Sequence, residues 1–420
     1  MNNKGFTLIE MLITMALVIV VIMITSSAFT SILKSTSRLT ASEDSNIEGV
    51  VGLEIFRRDL QQAGFGLYDS ITNYDSSIAY YTEAAVSPAD GLNDNTLASQ
   101  DIPRALVSFN NISGASDSTS QAGTTFNILN HTDYLGIKAT TVGGNKASQK
   151  WTYVTYSSSG KAPYVWQNPS ENLANDDRAI VISRTFSSLG TVNNTLITPP
   201  ATPNIYWIAN ATTTLSSIFN PTNANQINYI YGIRGYDTST TSDLGMPFNR
   251  ADYFVARPSN SSKIPSMCAP NSGILYRANI NHTDGKLSYM PLIDCVADMQ
   301  VVFGWDANGN GVIDESSAYD ADSAKIAVST SISTSPEIIK NFMTSPAEVR
   351  NKLKYIKVYL MVQEGRKDVG YANSASINVG DTGNLSLTKT YSVADLTTNG
   401  WLNYRWKIYR IVVRPKNLTN

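Results

Sequence analysis

A long apolar stretch sets the first element of the chain. Between Phe6 and Leu33 the only ionisable side chain is Glu10. A helix of these 28 residues would be about 42 Å long, enough to cross a hydrocarbon core of ~30 Å. Lys4 precedes the stretch, and short basic flanks stay on the cytoplasmic side of a membrane. The pattern predicts a membrane-spanning helix over about 6–33, with the rest of the chain outside the cytoplasm.

A second apolar pattern extends this helix. Apolar side chains recur every three or four residues, at Ile47, Val50, Leu53, Phe56, Leu60 and Ala63. Proline is absent before Pro88, while Gly64 and Gly66 favour a helix end. We therefore predict one helix over 6–63. Its first half would lie in a membrane or filament core, and its second half would pack one apolar stripe on a sheet.

Strand patterns dominate the remainder. Aromatic and β-branched runs predict strands at 134–138, 151–156, 179–186, 205–208, 228–233, 253–256, 273–277, 299–305, 355–362 and 405–413. Polar stretches at 110–123 and 191–203 predict surface loops. Ser345-Pro346-Ala347-Glu348 predicts the start of a short helix that ends near residue 353. The fold class is α+β: a long helix on a large antiparallel head, with insertions over 64–250 and a C-terminal β-rich part over 251–420.

Composition narrows the function classes. The net charge of −2 gives no support for nucleic-acid binding. Charged residues make up only 16 %, which suits an exported β-rich domain with many turns. Aromatic residues between 67 and 250 could form a binding face or could be half-buried strand residues; they include Tyr80, Tyr81, Trp166 and Trp207.

The sequence contains few candidate catalytic residues. Nucleophile-elbow, P-loop, zinc-protease and Cys-x-x-Cys motifs are all missing. His131 and His282 stand in polar, loop-like contexts and are predicted to be surface residues. We therefore expect no enzymatic activity.

One loop is similar to the first nine positions of a calcium loop. Oxygen-bearing side chains occupy the first, third, fifth and ninth positions, while Val312 could offer its carbonyl; the four are Asp306, Asn308, Asn310 and Asp314. At the twelfth position Ser317 replaces the usual glutamate, so Glu315, Asp320 or Asp322 would have to supply charge. The alternative is a plain hairpin turn, because Asn-Gly occurs twice in the loop.

The first residues resemble a known processing signal. Lys4-Gly5-Phe6-Thr7-Leu8-Ile9-Glu10 is similar to the class III signal of type IV pilins and type II secretion pseudopilins. The resemblance implies a leader of residues 1–5, cleavage by a prepilin peptidase between Gly5 and Phe6, and methylation of the new amine on Phe6. Glu10 could then neutralise that amine on its own or a neighbouring subunit during assembly. A secretory signal peptide would instead be cut after the apolar run, and a plain anchor would not explain the acid.

Later stretches resemble PilW-like minor pilins. They are Phe56 to Gly66, Asp294 to Trp305, Val362 to Arg366 and Tyr404 to Pro415. The resemblance covers about the first 66 residues and 252–415. It implies an inner-membrane, single-pass protein with a periplasmic head, later part of an extracellular pilus. The implied partners are other minor pilins, the major pilin, the inner-membrane assembly platform and a tip adhesin.

Two alternatives remain open at this point. The chain could be a J-class pseudopilin of type II secretion, although those proteins have smaller heads. It could also be a tip adhesin or sugar-binding module whose binding part lies within 67–250. In either case export into an oxidising compartment predicts a disulfide between Cys268 and Cys295, with two free buried thiols as the alternative.

Overall fold

A computed structural model describes most of the chain. The described residues are 8–74, 81–94, 101–186, 192–199, 207–209, 211–213, 215–235, 244–318, 325–328, 341–383 and 387–418. For residues 28, 30–48, 315–318 and 325–328 it gives the main chain alone. The predicted processing residues Gly5 and Phe6 lie outside the described residues, as do Asp320 and Asp322.

A single long helix, α1 (Leu8–Gln62), leads into the head. It is continuous over 55 residues, close to the predicted 6–63. Its segment Leu8–Ser27 has a mean hydropathy of 2.7, and none of this segment is buried against the head. One helix near the N-terminus is thus long and apolar enough to span a membrane. The helix ends where Gly64 and Gly66 adopt positive φ angles of 82° and 68°, as the glycine pattern predicts.

The head is built from short helices and many strands. The strands are, in order, β1 (Ser70–Ile71), β2 (Leu106–Ile112), β3 (Ser116–Asp117), β4 (Phe126–Ile128), β5 (Thr132–Ala139), β6 (Trp151–Thr155), β7 (Arg178–Phe186), β8 (Val192–Leu196), β9 (Trp207–Ile208), β10 (Ile227–Arg234), β11 (Asn249–Pro258), β12 (Gly273–Ile280), β13 (Leu287–Trp305), β14 (Glu315–Ala318), β15 (Lys325–Val328), β16 (Leu353–Glu364), β17 (Ile377–Gly380), β18 (Thr388–Tyr391) and β19 (Arg405–Val413). Among the described residues, further α-helices are α2 (Pro346–Lys352) and α3 (Val393–Thr398), and residues 341–344 are also helical. Short 3₁₀ helices cover Ala89–Leu92, Thr140–Val142, Ala147–Gln149, Pro169–Glu171, Ser217–Phe219 and Ser261–Lys263.

Most strands join one large sheet, which we call the head sheet. Its main path runs β15-β14-β13-β12-β11-β4-β3, with β16 and β19 beyond β13 and with β5 and β2 beside β11. The paired strands are antiparallel. The strand β13 is 19 residues long and pairs with β12, β14 and β16. It therefore forms the spine on which α1 lies.

The remaining strands of the 67–250 region form a second sheet, the insertion sheet. Its order is β1-β8-β7-β10-β6, and β9 also pairs with β7. One face carries Ile180 and Ile182, which belong to the same core as the head sheet. The other face carries Val181 and Ile230, which belong to a separate small core. The insertion sheet is thus fastened to the head through one face of its central strands.

Close packing explains a glycine in the second half of α1. A Cβ at Gly52 would stand 2.6 Å from the main-chain oxygen of Leu292, on β13. The helix therefore approaches the sheet backbone closely at this point, which only glycine permits. Buried Phe56 and Leu60 continue the contact further along the helix. The predicted apolar stripe is the surface by which α1 is seated on the head.

The C-terminal strand closes over the end of the helix. β19 pairs with β16 along Ile356 to Glu364. Beyond it, the Lys416 amide donates to the Gln61 carbonyl at 3.2 Å. Leu418 is buried, and its side chain lies beside Gly64. The exposed carbonyls at the carboxyl end of α1 are therefore satisfied by residues more than 350 positions away in sequence.

Two of the predicted surface loops contain strands. The stretch 110–123 includes the end of β2 and all of β3. Asp117 within it is buried, and its carboxylate accepts from the Tyr289 hydroxyl at 2.7 Å. The stretch 191–203 includes β8, which pairs with β7. Polar composition misled the prediction in both places, since β3 pairs with β4 and β8 pairs with β7, each a neighbouring strand in sequence.

Candidate functional site

The junction between α1 and the head contains a buried ion pair. The Asp59 carboxylate lies 2.7 Å from Nε of Arg277 and accepts from the Tyr253 hydroxyl at 2.8 Å. One turn earlier, the Phe56 ring stacks on Tyr253 with centroids 3.9 Å apart. Burial disfavours the charge of Arg277, but Asp59 outweighs it, so the pKa of Arg277 is raised. The stretch Phe56 to Gly66, which resembles PilW-like proteins, therefore contributes an acid that holds the helix on the sheet.

A second charged network is fully buried in the head. It fastens the segment around residues 81–94 to β5 and β11, and sequence reasoning missed it. Its carboxylates and cations lie 2.5 to 3.0 Å apart. The members are Glu83, Asp94, Arg104, Lys138, Arg250 and Asp252. Three acids balance three bases, so the network can be buried without a net charge.

The predicted assembly residue Glu10 lies at the start of α1. It occupies the first helical turn and is exposed. An acid at this end of a helix is favoured by the helix dipole. The surrounding apolar side chains are also exposed, for example Leu8 at 84 %. This geometry leaves the segment open to contact with lipid or with the helices of other subunits.

The predicted disulfide is confirmed. Cys268 and Cys295 are bonded across 27 residues of sequence. Cys295 has a positive φ of 55° and lies in the part of β13 where the register with β12 shifts. The bond ties the loop before β12 to the spine of the head sheet. It closes the loop at the same place where strand pairing is irregular.

The predicted calcium loop is the connection between β13 and β14. The two Asp306 oxygens accept from the amides of Asn310 and Gly311 at 3.0 and 2.8 Å. One Asp314 oxygen accepts from the amides of Ala307 and Asn308 at 3.1 and 3.3 Å. These bonds fold the loop into a turn, and Trp305 pairs with Glu315 across it.

The loop residues fit calcium chemistry only in part. Carboxylate and amide oxygens are the ligands that calcium prefers. Nζ of Lys354, however, lies 3.8 Å from the Asp306 carboxylate and already offsets its charge. Ser317 is in β14, paired with Phe303. Among the described residues, no group of three or more His, Cys, Asp and Glu side chains is placed to hold a metal. Calcium binding therefore remains a prediction for Asp306, Asn308, Asn310, Val312 and Asp314.

His282 is half-buried, so the prediction that it is a surface residue holds only in part. Its Nε2 lies 3.0 Å from Oδ1 of Asn249, whose amide nitrogen donates to the carbonyls of Thr140 and Ile233. That amide orientation makes Oδ1 the acceptor, so His282 carries its proton on Nε2. Burial, with a smaller contribution from Arg234, lowers the pKa of His282 to about 3. His131 is exposed, as expected.

The aromatic residues that could have formed one binding face are dispersed. Tyr81 is buried and packs edge-on against Phe248, with centroids 5.3 Å apart. Trp207 lies under the guanidinium of Arg178 at 4.6 Å. Trp166 belongs to a partly exposed group of rings on the insertion sheet. Tyr80 lies outside the described residues.

Comparison with known proteins identifies two parts of the chain. The prokaryotic N-terminal methylation motif matches residues 1–26. The family of Type IV Pilus-assembly protein W matches residues 252–417, which begin in β11 and continue past β19. No curated protein and no solved structure matches the chain. These two matches confirm the resemblance over residues 1–26 and 252–417, while the similar stretch Phe56 to Gly66 lies outside both of them.

Pilin-like families are structural rather than catalytic. The motif at the N-terminus and the apolar helix that follows indicate single-pass membrane anchoring and processing by a prepilin peptidase. The chain is a pilin-like protein related to type IV pilus assembly, with a PilW-type C-terminal region.

Proposed function

We propose that this protein is a minor pilin, a low-copy subunit at the tip or in the priming complex of a type IV pilus, with no catalytic activity of its own. The observation that carries the proposal is the division of α1. Its first part, Leu8–Ser27, is apolar and makes no buried contact with the head. Its last part, including Phe56 and Leu60, is embedded in the head core. Such a helix can join a bundle with other subunits while it carries its own head.

Head size favours a place at the tip. A compact head of roughly 350 residues would be about 50 Å across. Heads of that width would crowd one another if they were repeated along a shaft of closely stacked helices. Before assembly the subunit would sit in the inner membrane with its head in the periplasm, and afterwards in the extracellular pilus. Its partners would be other minor pilins, the major pilin, the assembly platform and, at the tip, an adhesin.

Processing gives the first test. We expect the mature protein to begin at Phe6, with a methylated amine and with the apolar segment retained. Intact-mass and N-terminal peptide spectrometry on protein from the native membrane would show this directly. Retention of Met1, or a cut after the apolar segment, would contradict the pilin interpretation.

Glu10 gives the second test, because an acid in a membrane segment is costly unless it is paired. Glu10→Ala should insert normally yet enter filaments less, since the amine of Phe6 on its own or a neighbouring subunit loses its counter-charge. Glu10→Gln should behave similarly, and Glu10→Asp should be partly active. Thr14→Ala, one turn further on, is the matched control because its hydroxyl donates to the Met11 carbonyl of its own helix and carries no charge.

The measurement is the subunit ratio between sheared filaments and membranes. Wild-type ratios for the alanine and glutamine variants would remove the pairing role from Glu10. Crosslinking in cells separates the pilus from the alternative system. Recovery of type II secretion pseudopilins, in place of pilins, would assign the protein to the J-class role.

A further inference from the structure

Five aromatic side chains form one cluster at the edge of the insertion sheet, in which Trp151 and Tyr164 are exposed and the other three are half-buried. We call it the aromatic platform; it consists of Trp151, Tyr153, Tyr164, Trp166 and Tyr229. Neighbouring ring centroids lie 5.0 Å apart for Trp151–Trp166 and Tyr164–Trp166, 5.1 Å for Tyr153–Tyr164 and 6.1 Å for Trp151–Tyr229. Exposed groups of large apolar rings on this scale usually mark a binding site.

Strand register explains why these rings share one face. Tyr153 on β6 lies opposite Tyr229 on β10, which lies opposite Ile182 on β7. The next row places Trp151, Tyr231 and Ile180 side by side. Ile180 and Ile182 are buried in the head core. The same sheet face is therefore aliphatic where it packs on the head and aromatic where it extends past it.

The platform is held rigidly by the segment that follows β6. The Tyr164 amide donates to the Tyr153 carbonyl at 2.8 Å, and the Thr152 hydroxyl donates to the Tyr164 carbonyl at 2.5 Å. The Trp166 indole N–H donates to the Trp151 carbonyl at 2.7 Å. Because the rings are already ordered, a ligand would lose little affinity to the cost of ordering them.

The chemistry of the rings favours a ligand with one apolar face and a polar rim. Trp151 and Tyr164 are 36 % and 44 % exposed, and tyrosine and tryptophan combine a large apolar surface with a polar tip. A pyranose ring has the matching form, since its C–H groups cover one face and its hydroxyls surround the edge. A lipid tail or an aliphatic helix would leave the phenol hydroxyls without polar partners.

Two cations border the platform. The row beside Tyr153 and Tyr229 consists of Thr155, Ile227 and Arg184. At one end, Nζ of Lys161 lies 3.3 Å from the Thr155 hydroxyl. At the other end, Nε of Arg184 is buried and has no hydrogen-bond partner among the described residues. An anionic group on the ligand would match both positions.

We propose that the aromatic platform binds an acidic saccharide chain. Its sugar rings stack on Trp151, Tyr153 and Tyr164, and its carboxylates face Arg184 and Lys161. The surface lies outside the part matched by the PilW family, residues 252–417. It therefore adds a ligand to the head, and it does not depend on the role proposed above for the filament.

Binding of the detergent-solubilised full chain to oligogalacturonate and to its methyl ester tests the proposal, because the ester keeps the rings and removes the charge. We expect the acid form to bind more tightly and added salt to weaken it. Tyr153→Thr and Tyr164→Ser should each weaken binding about fivefold or more, the loss of one stacked ring. Arg184→Gln should abolish the preference for the acid over the ester.

Tyr156→Ser is the matched control, because Tyr156 is as exposed as Tyr164, at 44 %, but is not one of the five rings. A glycan array with the Tyr153→Thr protein as its baseline widens the test to other acidic saccharides. The proposal is wrong if no acidic saccharide binds above that baseline, or if neutral glycans bind equally well. It is also wrong if the platform variants change only self-association in sedimentation experiments, since that result assigns the surface to a second copy of the chain.

Discussion

Removal of the Asp59 carboxylate should destabilise the protein through the helix–head junction. The side chains of Asp59 and Arg277 are only 10 % and 9 % exposed, so Asp59→Ala leaves a nearly buried guanidinium without its counter-charge. Breaking such a pair costs about 3–5 kcal/mol. With about 2.1 cal/mol/K of unfolding entropy per residue and roughly 350 residues in the head, this corresponds to a fall in melting temperature of about 4–7 °C.

The assay is thermal unfolding of the full chain in detergent, followed by tryptophan fluorescence. Arg57→Ala is the control: its partner Glu54 is 3.5 Å away and both side chains are more than half exposed, so the expected change is under about 0.5 kcal/mol. In Asp59→Ala/Arg277→Met neither charge remains, and part of the loss should be recovered. If the single Asp59→Ala variant melts within about 1 °C of the parent, the role given to this pair is refuted.

Three further outcomes are expected. Reduction of the Cys268–Cys295 bond should lower stability by about 3.5 kcal/mol, from the chain entropy of a 27-residue loop; an unchanged melting temperature in reductant would contradict this. The pKa of His282 is about 3 in the fold and about 6.5 when unfolded, so the fold binds fewer protons and loses stability as the pH falls below about 6.5. In His282→Gln the loss between pH 7 and pH 5 should be smaller by up to about 2 kcal/mol, and equal losses in chemical denaturation would exclude this histidine as the source. For calcium, we propose that millimolar calcium raises the melting temperature by mass action. Asp306→Asn keeps one acceptor but removes the charge, so it should abolish the rise. If magnesium has an equal effect, or calcium has none, the loop is a simple hairpin turn.

The local sequence pattern was sufficient to predict those elements whose signals lie within their own residues. The strand β19 has the predicted bounds Arg405–Val413. The helix α2 is capped by Ser345, whose hydroxyl accepts from the Glu348 amide at 3.3 Å, as its capping sequence predicts. The capping box at the start of α3, between Ser392 and Asp395, was equally readable but was missed.

The features that could not be predicted depend on contacts between residues that are distant in sequence. The buried network needs Glu83 to meet Arg250, which is 167 positions later, and no local pattern indicates that meeting. His282 has polar neighbours in sequence, yet its burial comes from Asn249 and other residues of the fold. The aromatic platform likewise requires the register between β6 and β10. The sequence supplied the rings but not their common face.

The C-terminal segment covers the end of α1. This contact bears on when the helix can complete its packing on the head sheet. The helix is made first, yet the Gln61 carbonyl is satisfied by Lys416, and the strand β16 needs β19 as its partner. The junction between the helix and its sheet is therefore complete only once residues 405–418 have been made and have folded into place. Until then the chain is a helix with an incomplete head, whose unpaired β16 edge and uncovered helix end are open to wrong contacts. A partner that recognises the closed junction would thereby bind only subunits whose chain is complete.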